Sequence, residues 1–87
     1  MRILIAEDEK DLNRIITERL NEAHYSVDSC MDGQEALDYL ESAEYDAVVL
    51  DIMMPVMDGL SVLKKMRRRN DRTPVILLTA KDSIEDR

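Results

Sequence analysis

Three short runs in which every residue is apolar constrain the fold of this chain more than any other feature. They occupy residues 3–6, 47–50 and 75–78, and each is about as long as a strand and contains β-branched residues. Strands that are apolar at every position are typical of a parallel sheet with helices on both faces. Residues 25–30 mix polar and apolar side chains instead, which indicates a strand at the edge of the same sheet.

Helical patterns separate these strands. Apolar residues recur at helical spacing in three stripes, which are Leu12, Ile15, Ile16, Leu20 and Ala23; Ala36, Leu37 and Leu40; and Leu60, Leu63 and Met66. Asp32 and Asp58 are the expected N-caps of the second and third helices, and Asp82 with Glu85 resembles a capping box for a fourth. The order β-α-β-α-β-α-β predicts an α/β fold with a doubly wound parallel sheet and right-handed crossovers.

Composition excludes several classes of function. The 87 residues carry 12 basic and 19 acidic side chains, a formal charge of −7, so we do not expect the chain to bind nucleic acid by itself. A single cysteine, Cys30, cannot form an internal disulfide and fits the reducing cytoplasm. No apolar run approaches the roughly 18 residues that cross a bilayer, and no signal-peptide pattern is visible. We therefore expect one cytoplasmic domain that makes no membrane contact.

Oxygen-bearing side chains follow each fully apolar run. Glu7 and Asp8 follow the first run, Asp51 the second and Thr79 the third. Since ligands of doubly wound sheets bind outside the carboxyl ends of the strands, we expect these side chains to meet. Three carboxylates together repel one another and favour a hard divalent cation such as Mg²⁺, which prefers oxygen ligands. The alternative is structural, with Asp8 capping the first helix and Asp51 only beginning a loop.

The segments around these acids resemble the receiver domain of bacterial two-component response regulators. The resemblance rests on Glu7-Asp8-Glu9 after the first strand, residues 51–59 (DIMMPVMDG) after the third and Thr79-Ala80 after the fourth. It covers the whole chain, and residues 78–87 are most similar to the winged-helix (OmpR-like) class, whose members are DNA-binding transcription regulators. The resemblance implies a flavodoxin-like parallel sheet with the strand order 2-1-3-4.

The resemblance also implies that Asp51 is the phosphoacceptor. Its carboxylate would attack the phosphorus of a phosphohistidine on a sensor histidine kinase and become an aspartyl phosphate. Thr79 would donate a hydrogen bond to a phosphoryl oxygen, and Ala80 would leave room beside the site and offer its N–H. The chain would then be a signalling module and not an enzyme with turnover on a separate substrate.

A Mg²⁺ site formed by Glu7, Asp8, Asp51 and Met53 is implied in the same way. Asp8 would bind the ion directly, Glu7 would hold it through water or at longer range, and Met53 would contribute its backbone carbonyl. The metal would offset negative charge between Asp51 and the incoming phosphoryl group. The thioether of Met53 is not an expected ligand, because thioethers suit soft metals.

The family pattern continues past residue 87 to a helix and a fifth strand, whose lysine pairs with the phosphoryl group. We therefore expect residues 1–87 to be the N-terminal part of a receiver domain, whose parent would contact DNA only through a separate effector domain. Lys81 cannot replace the lysine, because it lies only two residues after Thr79. Phosphoryl transfer should then be slow, and the exposed fourth strand should favour a dimer or a domain-swapped oligomer.

Two other classes of function remain open at this point. A phosphatase with an aspartate nucleophile uses a similar sheet, but it usually carries a second carboxylate two residues after the nucleophile, where this chain has Met53. In the other class, the chain is an inactive structural or interaction fragment in which the acidic site is vestigial. Intact Asp8, Asp51 and Thr79 argue against inherited decay of the site, but truncation could produce the same inactivity.

Three further features are expected to take no part in the chemistry. His24 should be a surface or capping residue near a helix end, and Cys30 should be an inert thiol in the edge strand. The basic run at residues 64–69 should be a solvated helix end whose charge suits the helix dipole.

Overall fold

Strands and helices alternate strictly along residues 1–78, which are the residues that the computed structural model describes. In chain order the elements are β1 Arg2–Ala6, α1 Lys10–Glu22, β2 Ser26–Cys30, α2 Gly33–Ser42, β3 Ala47–Asp51, α3 Gly59–Arg68 and β4 Val75–Leu78. The predicted order of elements is confirmed over this range. The fourth helix predicted from Asp82 lies outside the described residues.

The four described strands form one parallel sheet with the order β2-β1-β3-β4, as expected from the resemblance. β1 and β3 lie side by side, in a register that pairs Ile3 with Ala47 and Ala6 with Leu50. One step further along the same register, Glu7 comes beside Asp51. The parallel pairing therefore brings the acids that follow β1 to the carboxyl end of β3.

The two central strands supply most of the core. Leu4 and Ala6 of β1 and Val48 and Leu50 of β3 are buried in one cluster with apolar residues of α2 and α3. Residues alternate between the faces of a strand, so the buried Ile3 and Ile5 point to the opposite face of the sheet. On that face α1 packs against β1 and β2.

β4 lies at the edge of the described sheet, next to β3. Its side chains are only partly buried, and Ile76 is 58% exposed, so the burial on both faces that its apolar sequence suggests is absent within residues 1–78. Pairing of this edge with a second chain stays a prediction.

Side-chain caps start the helices at defined residues. Asp32 accepts a hydrogen bond from the backbone N–H of Glu35 (2.9 Å), and Asp58 accepts one from that of Ser61 (2.7 Å). The latter bond also lowers the pKa of Asp58, because the hydrogen bond favours the ionised carboxylate. Both predicted caps are confirmed.

The rotation of two helices differs from the prediction. In α3 the buried residues are Gly59, Val62 and Met66, whereas Leu60 is exposed. Gly59 lies against the backbone at the end of β3. This close approach turns the face of α3 that carries Gly59, Val62 and Met66 toward the sheet. In α1 the buried residue is Asn13, and Ile15 of the predicted stripe is exposed. The hydrogen bonds of Asn13, described below, hold that face of α1 inward.

Candidate functional site

Three carboxylates meet at the carboxyl ends of β1 and β3. One side-chain oxygen from each of Glu7, Asp8 and Asp51 lies within 4.8 Å of the other two. Glu7 and Asp51 are buried, with 1% and 3% of their surface exposed, and Asp8 is not buried. The parallel register of β1 and β3 explains this convergence, which the sequence predicted from the strand ends.

The two carboxylate oxygens of Asp51 differ in their hydrogen bonding. Its Oδ1 accepts a hydrogen bond from the backbone N–H of Met53 (3.2 Å), while its buried Oδ2 has no hydrogen-bond partner among residues 1–78. A buried carboxylate oxygen without a partner is costly, so such atoms commonly face a cation or a ligand. With two more carboxylates beside it, this donor set fits a hard divalent cation that prefers oxygen ligands.

Asp8 does not cap the first helix. The N-cap of α1 is Glu9, whose side chain accepts hydrogen bonds from the backbone N–H groups of Leu12 (2.8 Å) and Asp11 (3.4 Å). The backbone N–H of Glu9 in turn donates to Glu7 Oε2 (2.9 Å), which orients the Glu7 carboxylate. The alternative in which Asp8 caps α1 is therefore wrong, and the Asp8 carboxylate lies in the acidic cluster.

A surface cleft of about 570 Å³ opens beside Asp8. It is lined by the loop after β3 and the start of α3, through the residues Asp8, Ile52, Met53, Met54, Pro55, Asp58 and Leu60. Of the three clustered acids, Asp8 lines this cleft, which is therefore open to solvent at that carboxylate. The Met53 side chain is exposed there, and its backbone N–H is already bound to Asp51. A metal contact from the Met53 carbonyl stays a prediction.

The loop between Asp51 and α3 is closed by its own backbone. The N–H of Gly59 donates to the carbonyl of Ile52 (2.9 Å), and the N–H of Met57 donates to that of Pro55 (2.7 Å). Val56, at the tip, has a φ of 69°, a left-handed conformation that is uncommon for a β-branched residue. Sequence patterns do not reveal such a backbone angle.

Asn13 is the site residue that the sequence did not indicate. It is buried, and its side-chain N–H₂ donates to the backbone carbonyls of Glu7 (2.9 Å) and Cys30 (3.0 Å). An asparagine beside an apolar stripe is usually read as facing solvent. The available signal was that asparagine is a poor residue for a helix interior, where its side chain tends to seek backbone partners.

Two of the predicted site residues, Thr79 and Ala80, lie outside the described residues. Among the residues expected to take no part, Cys30 is buried, and its burial raises the pKa of the thiol to about 12, as for an inert thiol. His24 is exposed and left-handed (φ 71°) just past the end of α1, which fits a helix-terminating role.

The basic run at the end of α3 serves local structure. The guanidinium of Arg67 donates to the backbone carbonyls of Asp71 (2.7 Å) and Thr73 (3.1 Å), which fastens the loop into β4. Arg69 forms an ion pair with Glu41 of α2 (2.6 Å). All five basic side chains of the run are exposed, which agrees with the prediction of a solvated helix end. No helix within residues 1–78 is long and apolar enough to cross a membrane.

The sequence of this chain is similar to those of known proteins. Residues 3–87 match the profile of the response regulator receiver domain family. The transcriptional regulatory protein DltR of Streptococcus agalactiae is 46% identical over all 87 residues, which correspond to 39% of its length. This chain therefore spans about two fifths of that relative.

Two solved structures have the same fold. The response regulator protein TrrA of Thermotoga maritima, in complex with Mg²⁺-BeF, is 38% identical with a TM-score of 0.86, over 98% of this chain and 74% of that one. TrrA in complex with the histidine kinase ThkA is 40% identical with a TM-score of 0.83, over 91% of this chain and 68% of that one. Sequence and fold agree over nearly the entire chain, which belongs to the family of response regulator receiver domains.

Proposed function

We propose that this chain is the phosphoacceptor module of a two-component system and receives a phosphoryl group on Asp51. The observation that carries the proposal is the buried Oδ2 of Asp51, which has no hydrogen-bond partner among residues 1–78 and lies in a cluster with Glu7 and Asp8. Such a site, next to an open cleft, can accept a negatively charged phosphoryl group once a divalent cation offsets the charge of the three carboxylates.

The proposed transfer is a displacement at phosphorus. An oxygen of the Asp51 carboxylate attacks the phosphorus of a phosphohistidine, the new O–P bond forms as the P–N bond breaks, and the imidazole nitrogen leaves with the electron pair and takes up a proton. A carboxylate nucleophile needs no general base at neutral pH. The hydrogen bond from the Met53 N–H to Oδ1 fixes the plane of the Asp51 carboxylate during this step.

The residues that would hold Mg²⁺ are Asp8 and Asp51 directly, Glu7 through water and Met53 through its backbone carbonyl. Bound there, the ion would offset the negative charge of Asp51 and of the incoming phosphoryl group. The related TrrA structure contains Mg²⁺-BeF, which supports this cofactor. We extend the proposal to Thr79, whose hydroxyl would donate to a phosphoryl oxygen, and to the N–H of Ala80.

Two relatives support the proposed phosphoryl donor and the proposed parent protein. TrrA forms a complex with the histidine kinase ThkA, so a sensor histidine kinase is the proposed partner of this chain. DltR is a transcriptional regulatory protein, and the proposed parent is a cytoplasmic DNA-binding regulator of the winged-helix (OmpR-like) class. DNA contact would belong to its effector domain, since the chain itself carries a net charge of −7.

A signalling role fits this site better than turnover by a phosphatase-like enzyme. Such an enzyme would place an acid–base carboxylate two residues after the nucleophile. Met53 stands at that position and has only an exposed thioether side chain. We therefore propose a module that holds its phosphoryl group for a time and passes on a signal.

The test is phosphorylation of the 87-residue chain by acetyl phosphate with Mg²⁺, followed by its intact mass. We expect one acid-labile phosphoryl group on the wild-type chain and none on Asp51→Asn. Asp58→Asn is the matched control: it removes a carboxylate of the same loop and keeps an N-cap, because asparagine caps as well as aspartate. An equal adduct on Asp51→Asn, or none on the wild-type chain, would contradict the proposal.

A further inference from the structure

Asn13 joins the two strand ends beside the acidic cluster to α1. Its Nδ2 donates to the carbonyl of Glu7 (2.9 Å), the residue that follows β1, and to that of Cys30 (3.0 Å), the last residue of β2. Both acceptors are backbone carbonyls, so the amide must present its N–H₂ group to them. The Asn13 side chain is almost fully buried, with 6% of the residue exposed.

The side-chain amide of Asn13 makes the hydrogen bond that a backbone N–H would make if the pairing of β1 and β2 continued. β1 and β2 pair as far as Ala6 and Cys30, and the N–H of Glu7 makes the last backbone hydrogen bond between them, to Cys30 (3.1 Å). The paired register of β1 and β2 ends at Ala6 and Cys30. The Glu7 carbonyl instead accepts a hydrogen bond from the Asn13 side chain, in place of a backbone N–H from the neighbouring strand.

Holding the Glu7 carbonyl orients both neighbouring acids. A peptide unit is planar, so the carbonyl of Glu7, the N–H of Asp8 and the α carbons of both residues move together. A hydrogen bond to that carbonyl therefore holds the peptide plane that joins the α carbons of Glu7 and Asp8, which limits the directions open to both side chains. These side chains place their oxygens within 4.8 Å of Asp51.

Thr17 holds the amide of Asn13 in this orientation. Its hydroxyl, one helical turn further along α1, donates to Asn13 Oδ1 (3.3 Å). The Asn13 amide thus accepts a hydrogen bond from α1 through Oδ1 and donates hydrogen bonds to the strand ends through Nδ2. Thr17 itself contacts neither carbonyl in the described hydrogen bonds, so its removal tests the support of the amide separately from the loss of its donors.

We propose that Asn13 is a positioning residue, which sets Glu7 and Asp8 against Asp51 so that the cluster can bind a divalent cation. The inference rests on the proposed function. Groups that orient metal ligands without touching the metal commonly control affinity as well as geometry. Asn13 acts here through the backbone of the ligands, and it is not itself a ligand.

The test is a Mg²⁺ titration of the 87-residue chain, followed by the NMR shifts of the Asp8 and Met53 amides. Asn13→Leu keeps a similar volume but removes both donors, and we expect it to weaken Mg²⁺ binding about 10-fold. Thr17→Val removes the hydrogen bond to Asn13 Oδ1 but keeps both amide donors, so it should weaken Mg²⁺ binding by less than Asn13→Leu does. Met66→Val, a core change in α3 away from the strand ends, should lower thermal stability without changing the affinity.

The outcomes separate this inference from the proposed function. Wild-type affinity in folded Asn13→Leu would overturn the positioning role and leave the proposed function standing. Absence of Mg²⁺ binding by the wild-type chain would overturn both. A loss of affinity in Met66→Val equal to that in Asn13→Leu would show a general effect of stability and overturn the positioning role. If Asn13→Leu does not fold, Asn13→Ser takes its place under the same criteria.

Discussion

The backbone carbonyl of Asp51 packs directly against the α carbon of Gly59, the first residue of α3. A side-chain carbon on Gly59 would collide with that carbonyl oxygen and with the backbone of Ile52. The N–H of Gly59 also donates to the carbonyl of Ile52 (2.9 Å). The end of β3, where the proposed phosphoacceptor lies, and the start of α3 are therefore in contact backbone to backbone, and only glycine allows it.

We expect Gly59→Ala to destabilise the chain by about 2 kcal/mol, because overpacking against backbone forces a shift of the helix. Urea unfolding measures this loss. Leu60→Ala is the control: Leu60 is exposed in the same helical turn, so its truncation should cost little. An equal loss in the two variants would contradict the close contact between Gly59 and β3.

Val56→Gly should stabilise the chain. Val56 is 79% exposed and left-handed (φ 69°), so its side chain contributes strain and little packing. After the entropic cost of glycine, we expect a gain of about 0.5 kcal/mol in the free energy of unfolding, measured in urea. Met53→Gly in the same exposed loop is the control. Its φ is not left-handed, so it should gain nothing, and a loss of stability in Val56→Gly would contradict the strain.

Stability should fall in acid partly through Asp28. The hydroxyl of Tyr45 donates to its Oδ2 (2.6 Å) and Arg2 pairs with the same oxygen (3.0 Å), which holds the pKa of Asp28 below its ordinary value of 3.8. A carboxyl group with a lowered pKa stabilises the fold above its unfolded pKa, and this contribution disappears as the pH falls through the folded pKa. The loss should therefore begin below about pH 4.

The matching variant is Asp28→Asn, which should cost about 1 kcal/mol at pH 7 and show a shallower loss of stability as the pH falls below about 4. Urea unfolding at several pH values measures both effects. Glu44→Gln, an exposed acid next to Tyr45, should keep the wild-type pH dependence. An identical acid profile for Asp28→Asn and the wild-type chain would contradict the role of Asp28.

Cys30 should resist alkylation in the folded chain. It is buried, and its burial raises the pKa of the thiol to about 12, so little thiolate forms and reagents cannot reach it. We expect slow reaction with iodoacetamide at pH 8 and fast reaction in urea, measured by mass. Ser29→Cys in a Cys30→Ala background places a thiol at the exposed neighbouring position and should react rapidly without urea. Equal rates for the two folded thiols would contradict the burial of Cys30.

The sequence predicted those features that depend on short, local patterns. The apolar runs located β1, β3 and β4, the caps Asp32 and Asp58 located two helix starts, and the acids at the strand ends located the acidic cluster. Each of these patterns depends on residue types with a strong local preference, such as aspartate for helix N-caps and apolar β-branched residues for buried strands.

Features that depend on contacts between distant segments were not predictable. Asn13 is buried because two strand-end carbonyls need a donor, and those carbonyls come together only in the folded sheet. The rotation of α3 follows from the contact of Gly59 with β3, and Glu9 takes the cap that Asp8 could equally have supplied in sequence. Local patterns leave such choices open, and packing decides them.

The most direct test of the account is the position of the phosphoryl group. Borohydride reduces an acyl phosphate to an alcohol, so the 87-residue chain, phosphorylated with acetyl phosphate and Mg²⁺, can be reduced and its peptides sequenced by mass spectrometry. The account predicts that the reduced residue is Asp51. Reduction at Glu7 or Asp8, or a phosphoryl group that remains on a serine or threonine, would contradict it.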